Sequence, residues 1–130
     1  MTLRMSQPMT AALLAAGALA ALAGCTEKSD TGDAKSGAIA VEATDDACKL
    51  SRTSAKAGPI AFKVSNEGDK ITEFYVYGPD RKVVSEVEGI GPGTSRTMIV
   101  KVSKSGTYTT ACKPGMVGDG IRGEFTVTAK

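Results

Sequence analysis

The sequence predicts an all-β protein, a Greek-key antiparallel β-sandwich that follows a signal peptide and a flexible linker. Three observations predict it. Short runs of alternating apolar and polar residues recur along the chain. Gly, Pro, Asn and Asp separate these runs. Beyond the N-terminal segment, no stretch has the i, i+3, i+4, i+7 spacing of an amphipathic helix. About seven short strands at this spacing are typical of a sandwich. The predicted strands lie at 38–44, 60–66, 72–78, 83–87, 94–103, 106–112 and 123–130.

The alternation also predicts which side chains face the core. In 60–66 the apolar positions are Ile60, Phe62 and Val64. In 72–78, Phe74 and Val76 share one face, so Glu73 lies on the other face. If Phe74 and Val76 face the core, Glu73 faces solvent, unless the strand end bends over a site.

The N-terminal segment, residues 1–24, is predicted to be an export signal. It carries one charge, Arg4, followed by the apolar run "AALLAAGALAALAG". That run is shorter than the roughly 20 residues of a transmembrane helix and fits the apolar region of a secretory signal. It ends in "LAGC", which resembles the lipobox of bacterial lipoproteins. The resemblance implies cleavage before Cys25, lipid attachment to Cys25 and an extracytoplasmic protein anchored to the membrane. The alternative is an ordinary signal with a chance cysteine.

The residues after Cys25 are predicted to form a tether and then one domain. The segment 25–37 is polar and rich in turn-forming residues, and it lacks the large apolar side chains that a core needs. The remaining residues, 38–130, are enough for one modest core. A domain of this size gains stability from a disulfide or a metal ion.

Charge and composition exclude several classes of function. The chain has 16 Lys and Arg against 14 Asp and Glu, scattered without a basic block, so we expect no nucleic-acid partner. It has no histidine to act as a general base near neutral pH. No nucleophile–base pair or phosphate-binding loop is evident. We therefore expect no enzymatic activity.

The three cysteines divide between two roles. With Cys25 assigned to lipid, Cys48 and Cys112 remain. An exported pair of cysteines is in a compartment where disulfides form and persist. The same two sulfurs are also soft metal ligands. The residues alone leave both possibilities open.

Three landmarks in order resemble a cupredoxin. They are "SAKAGPIAFKVSNEG" at 54–68, "GIGPGTSRTMIVKVSKSGTYTTAC" at 89–112, and "CKPGMVG" at 112–118. Within this family, the domain is most similar to the cupredoxin-like domain of EfeO-type iron-uptake proteins. That resemblance spans 38–130 and includes the extra cysteine, Cys48, and a glutamate, Glu73, where other cupredoxins have a histidine. The helical metallopeptidase-like domain that usually accompanies it is not in this sequence.

The resemblance implies a set of candidate metal ligands. Cys112 matches the metal cysteine of cupredoxins and Met116 matches the axial methionine. Cys48 is expected at the same end of the sandwich, with its Cα atom about 4.4–6.8 Å from that of Cys112 if the two form a disulfide. Glu73 would add a hard oxygen donor. Cysteine and methionine favour copper, whereas carboxylates favour iron. A blue-copper centre is not expected, because its two histidines are missing.

Two functional hypotheses follow from the sequence and the resemblance. The first is a tethered protein that binds iron or copper and assists metal uptake or delivery, with an iron-uptake permease or an EfeO-type helical protein as partner. The second is a metal-free, disulfide-stapled β-sandwich that acts as a protein-interaction module at the cell surface.

Overall fold

The computed structural model describes residues 37–130, which form nine strands in two sheets. One sheet has the order β2-β1-β4-β7 and the other the order β3-β9-β8-β5-β6. The predictions for the signal peptide, Cys25 and most of the linker lie outside these residues. No helix within 37–130 is long and apolar enough to cross a membrane. The strands are β1 (Ile39–Ala43), β2 (Cys48–Leu50), β3 (Ser54–Lys56), β4 (Gly58–Asn66), β5 (Thr72–Tyr77), β6 (Val83–Ile90), β7 (Ser95–Val102), β8 (Gly106–Cys112) and β9 (Ile121–Thr128), with a 3-10 turn at Pro114–Met116.

The predicted sandwich is confirmed, and the structure adds two features to it. The additional strands β2 and β3 have three residues each, too few to show a clear alternation. Two pairings are parallel, β1 with β4 and β3 with β9, whereas the sequence analysis expected antiparallel strands throughout. Parallel strands cannot be joined by a hairpin turn. The sequence therefore contains no turn motif that would predict these two pairings.

The core lies between the two sheets and is built from the residues that alternation selected. The largest side chains are Phe62, Phe74 and Phe125, each at most 1% exposed. Phe62 lies 5.3 Å from Phe74 and 5.4 Å from Phe125 between ring centroids, so one strand of the first sheet contacts two strands of the second. Such tilted and edge-to-face contacts are favourable for aromatic rings. The core therefore fixes the two sheets face to face.

Asn66 holds the loop that follows β4. Its side chain is buried and its Nδ2 donates to the carbonyls of Lys70 and Ile90, at 2.8 Å each. Its Oδ1 accepts from the N–H of Gly68 at 2.9 Å. Every one of these partners is a backbone group, which would otherwise be left without a hydrogen bond near the core. Asn66 thus fixes the end of the sandwich where β4 meets the strand that carries Ile90.

Candidate functional site

Cys48 and Cys112 form a disulfide that joins the two sheets. Cys48 begins β2 in the first sheet and Cys112 ends β8 in the second. Their Cα atoms are 5.6 Å apart, which confirms the expected distance. Cys112 is 0% exposed and belongs to the core, whereas Cys48 is only partly buried against it. The two sulfurs are therefore bonded to each other and are not free thiolates in this structure.

The loop that follows Cys112 is tightly folded at the same end of the sandwich. The N–H of Gly115 donates to the carbonyl of Ile71 at 2.7 Å, and Met116 has a left-handed φ of 57°. Gly120 has a φ of +76°, and a Cβ there would lie 2.6 Å from the carbonyl oxygen of Cys112. Only glycine fits this close approach without strain. The loop is thereby folded back against the strand end that carries Cys112.

Met116 lies at the exposed tip of this loop. It is 46% exposed, Val117 is 71% exposed and the neighbouring Ile71 is 50% exposed. We refer to these three residues as the apolar tip. Met116 therefore belongs to the loop surface and not to the core.

Glu73 lies on the face of the second sheet opposite to the disulfide. Phe74, which pairs with Cys112, and Val76 point into the core, so Glu73 points outward. The expectation that an outward Glu73 would face solvent is wrong, because only 7% of Glu73 is exposed. The reason is that the outer face of β5 is covered as well as its inner face.

A second small cluster covers this outer face. Tyr75 and Tyr77 stack with ring centroids 5.6 Å apart and an angle of 12° between the planes, and both pack with Ala111. The Lys113 Nζ lies 4.0 Å from the Tyr75 centroid, and the Arg122 Cζ lies 4.8 Å from the Tyr77 centroid. Cations over aromatic faces are attracted by the ring quadrupole. The two basic side chains therefore shield the tyrosines from water.

The Tyr75 phenol lies in an environment that favours its neutral form. Burial raises the pKa of Tyr75 well above its usual range. The nearby carboxylates of Glu86 and Glu73 raise this pKa further, because they favour the protonated phenol by hydrogen bonding and repel a phenolate. Tyr75 therefore stays protonated to a higher pH than an ordinary tyrosine. Alternation places Tyr75 and Tyr77 on the same face of the strand as Glu73, but it gives no indication that Lys113 and Arg122 cover them.

The structure brings together only part of the candidate ligand set. Cys48 and Cys112 meet, and Met116 lies in the loop that leaves Cys112. Glu73 lies on the other face of the sheet. Among residues 37–130, no three His, Cys, Asp or Glu side chains are grouped as metal ligands.

The comparisons with known proteins agree with this architecture. The model of the family described as "Cupredoxin-like domain" matches residues 12–127. The chain belongs to the cupredoxin-like family. No curated protein sequence matches it.

Solved structures share the fold at low sequence identity. Dithionite-reduced auracyanin from Roseiflexus castenholzii aligns with a TM-score of 0.52 at 15% identity over 68% of this chain and 94% of its own. Auracyanin B aligns with a TM-score of 0.55 at 18% identity over 70% of this chain and 88% of its own. A multicopper oxidase aligns with a TM-score of 0.52 at 18% identity, over 70% of this chain and 41% of its own.

The blue-copper centre that this family implies does not fit the present cupredoxin-like chain. The chain has no histidine, so neither imidazole ligand of a His₂Cys set is available. The sulfur of Cys112 is bonded to Cys48. A Cu(II)–thiolate centre of that type is therefore excluded by the donor set of the described residues and by the composition of the whole chain.

The disulfide should contribute measurably to stability. We expect Cys48→Ala to lower the free energy of unfolding by about 2–4 kcal/mol, because the bridge closes a long loop in the unfolded chain. Urea unfolding followed by circular dichroism measures this loss. Lys49→Ala, an exposed change on the same strand, should stay within about 0.5 kcal/mol of the parent. A Cys48→Ala protein as stable as the oxidised parent would refute the stabilising role of the bridge.

The raised pKa of Tyr75 predicts a loss of stability at high pH. At pH values below the pKa of Tyr75 in the unfolded chain, both the folded and the unfolded state keep the phenol proton. In that range the titration of Tyr75 does not change the free energy of unfolding. Above about pH 10 the unfolded chain loses that proton first, and stability falls by up to about 1.4 kcal/mol per pH unit. Tyr75→Phe should therefore lose less stability than the parent between about pH 8 and about pH 11, as measured by urea unfolding. Equal losses in the two proteins would contradict this account.

Proposed function

We propose that this chain is a lipid-tethered, extracytoplasmic cupredoxin-like protein that binds a soft transition-metal ion, Cu(I) foremost, through Cys48 and Cys112 when their disulfide is reduced. It would serve as an accessory in metal uptake or delivery and not as an enzyme. The observation that carries the proposal is the juxtaposition of the two sulfurs. The sequence resemblance supports it, because Cys112 matches the metal cysteine of cupredoxins.

The chemistry of the donors favours copper. Reduction releases two thiolates that the fold already holds together, and thiolates and thioethers are the ligands that Cu(I) prefers. Met116 is four residues from Cys112 in an exposed loop, and its thioether would be a third soft ligand. In the oxidised protein the same sulfurs have no thiolate to offer. Metal binding would therefore depend on the redox state of the pair.

Iron receives less support from the same geometry. A ferric ion prefers carboxylate and other oxygen ligands. Glu73 is the carboxylate that the family resemblance suggests, but it lies on the sheet face opposite to the sulfurs. Iron remains the ion suggested by the resemblance to EfeO-type proteins, whose permease and helical partners would then be the partners of this chain.

The second candidate function is a metal-free interaction module, and the apolar tip favours it. Ile71, Met116 and Val117 expose apolar surface at one end of a rigid, disulfide-stapled sandwich. Exposed apolar side chains that cluster together mark protein-interaction surfaces. This function needs no reduction of the disulfide and no metal.

Titration with Cu(I) against a competing chelator tests the first function. Reduced protein should bind one ion, whereas oxidised protein and reduced Cys112→Ser should bind at least about tenfold more weakly, a difference of about 1.4 kcal/mol. Glu73→Gln serves as the matched control and should bind Cu(I) as the parent does. The titration uses lipidated protein or protein with Cys25→Ser, so that a free Cys25 thiol does not bind Cu(I) as well. No intense blue colour should develop with Cu(II).

Two results would decide against copper. Cu(I) binding that survives in oxidised protein or in Cys112→Ser would refute the site. Absence of binding in every state would leave the interaction module as the function.

The tether has its own test. The segment before Cys25 and the "LAGC" sequence support cleavage and lipidation at Cys25. Intact mass of membrane-extracted protein should show a chain that begins at Cys25 with two or three acyl chains. Cys25→Ser should remove the acyl mass. An unmodified mature chain or an uncleaved N-terminus would contradict the anchor.

A further inference from the structure

The two halves of the disulfide differ in accessibility. Cys112 is 0% exposed and ends β8, which lies between β9 and β5 in the interior of its sheet. Cys48 is only partly buried and begins β2, the outermost strand of the other sheet. The Cys48 side of the bridge therefore lies nearer to solvent than the Cys112 side.

The edge strand that carries Cys48 has few attachments. β2 has three residues, and its neighbour within the sheet is β1. Beyond the strand, Ser51 reinforces this edge: its N–H donates to the Ala40 carbonyl at 2.8 Å, and its Oγ accepts from the Ala40 N–H at 3.0 Å. A short edge strand of this kind opens at a lower cost in free energy than a strand inside the sheet. Local opening would expose the disulfide without unfolding the core.

From these two observations we infer that Cys48 is a site of thiol–disulfide exchange, at which an external dithiol reduces the protein. This exchange identifies the chemical class of a partner that acts on the disulfide. It does not depend on whether the reduced protein then binds a metal ion. The partner class is a dithiol, because its second thiol is held within the mixed disulfide and completes the reduction intramolecularly.

The exchange is balanced in two steps. One thiolate of the dithiol attacks the Cys48 Sγ, the Cys48–Cys112 bond breaks, and the electron pair leaves on the Cys112 sulfur, which takes a proton from water. The second thiolate of the dithiol then attacks the first sulfur of the dithiol, which is bonded to the Cys48 Sγ in the mixed disulfide. The Cys48 sulfur leaves and takes a second proton. The dithiol is oxidised to a disulfide and this protein is reduced to two thiols.

Reduced glutathione, a monothiol, tests the direction of attack because its first step leaves glutathione on the sulfur that was attacked, and a rapid quench traps that mixed disulfide. The oxidised full chain is treated with glutathione under native conditions, quenched with N-ethylmaleimide and mapped by peptide mass spectrometry. We expect glutathione on Cys48 and maleimide on Cys112, with the reverse pattern at least about tenfold rarer. A reverse pattern, or equal labelling of both residues, would overturn the inference. In urea the two patterns should become equal, because the unfolded chain exposes both sulfurs.

A pair of matched variants tests the role of the edge. Ser51→Ala removes a hydrogen bond that holds the β2 edge, and we expect glutathione to react several-fold faster. Thr128→Ala removes the bond from the Thr128 Oγ1 to the Ala55 carbonyl at the three-residue edge strand of the other sheet, and it should leave the rate unchanged. Equal rates in the parent and both variants would show that opening of β2 is not the route, and would overturn this part of the inference.

Discussion

The covalent bond between Cys48 and Cys112 is the constraint on which the rest of this structure depends. It joins the edge of one sheet to the interior of the other, at one end of a core built from few large side chains. A domain of this size gains much of its stability from such a bridge. Under the proposed function the same sulfurs would also bind a metal ion, so the bridge and metal binding would compete for the same atoms.

The elements around the disulfide are arranged to hold it. Asn66 hydrogen-bonds three backbone groups at this end of the sandwich, and Gly120 lets the loop after Cys112 fold back against the strand. On the opposite face of the second sheet, Tyr75 and Tyr77 lie beneath Lys113 and Arg122. β5 is consequently buried on both faces, and β8, its neighbour, holds Cys112 in a rigid part of the sheet. The Cys48 side of the bridge lies on β2, the short edge strand of the other sheet.

The sequence was sufficient to predict the β-sandwich, but it was not sufficient to predict which residues surround the candidate site. Alternation of apolar and polar residues can be recognised only in strands of five or more residues. The core positions from Ile39 to Val127 could therefore be predicted, whereas the three-residue strands β2 and β3 could not. Alternation also says only which residues share a face, and not whether that face is covered. Glu73 was therefore assigned to the outer face correctly and to solvent wrongly. Burial of that face depends on Lys113 and Arg122, which come from strand ends and a loop distant in the sequence.

Peptide mapping without reduction tests the central claim most directly. Protein isolated with its thiols blocked by a maleimide is unfolded, digested and analysed by mass spectrometry. The account predicts that the peptide with Cys48 is recovered linked to the peptide with Cys112, and that treatment with a reductant separates them. Recovery of both peptides unlinked, each carrying the maleimide, would contradict it.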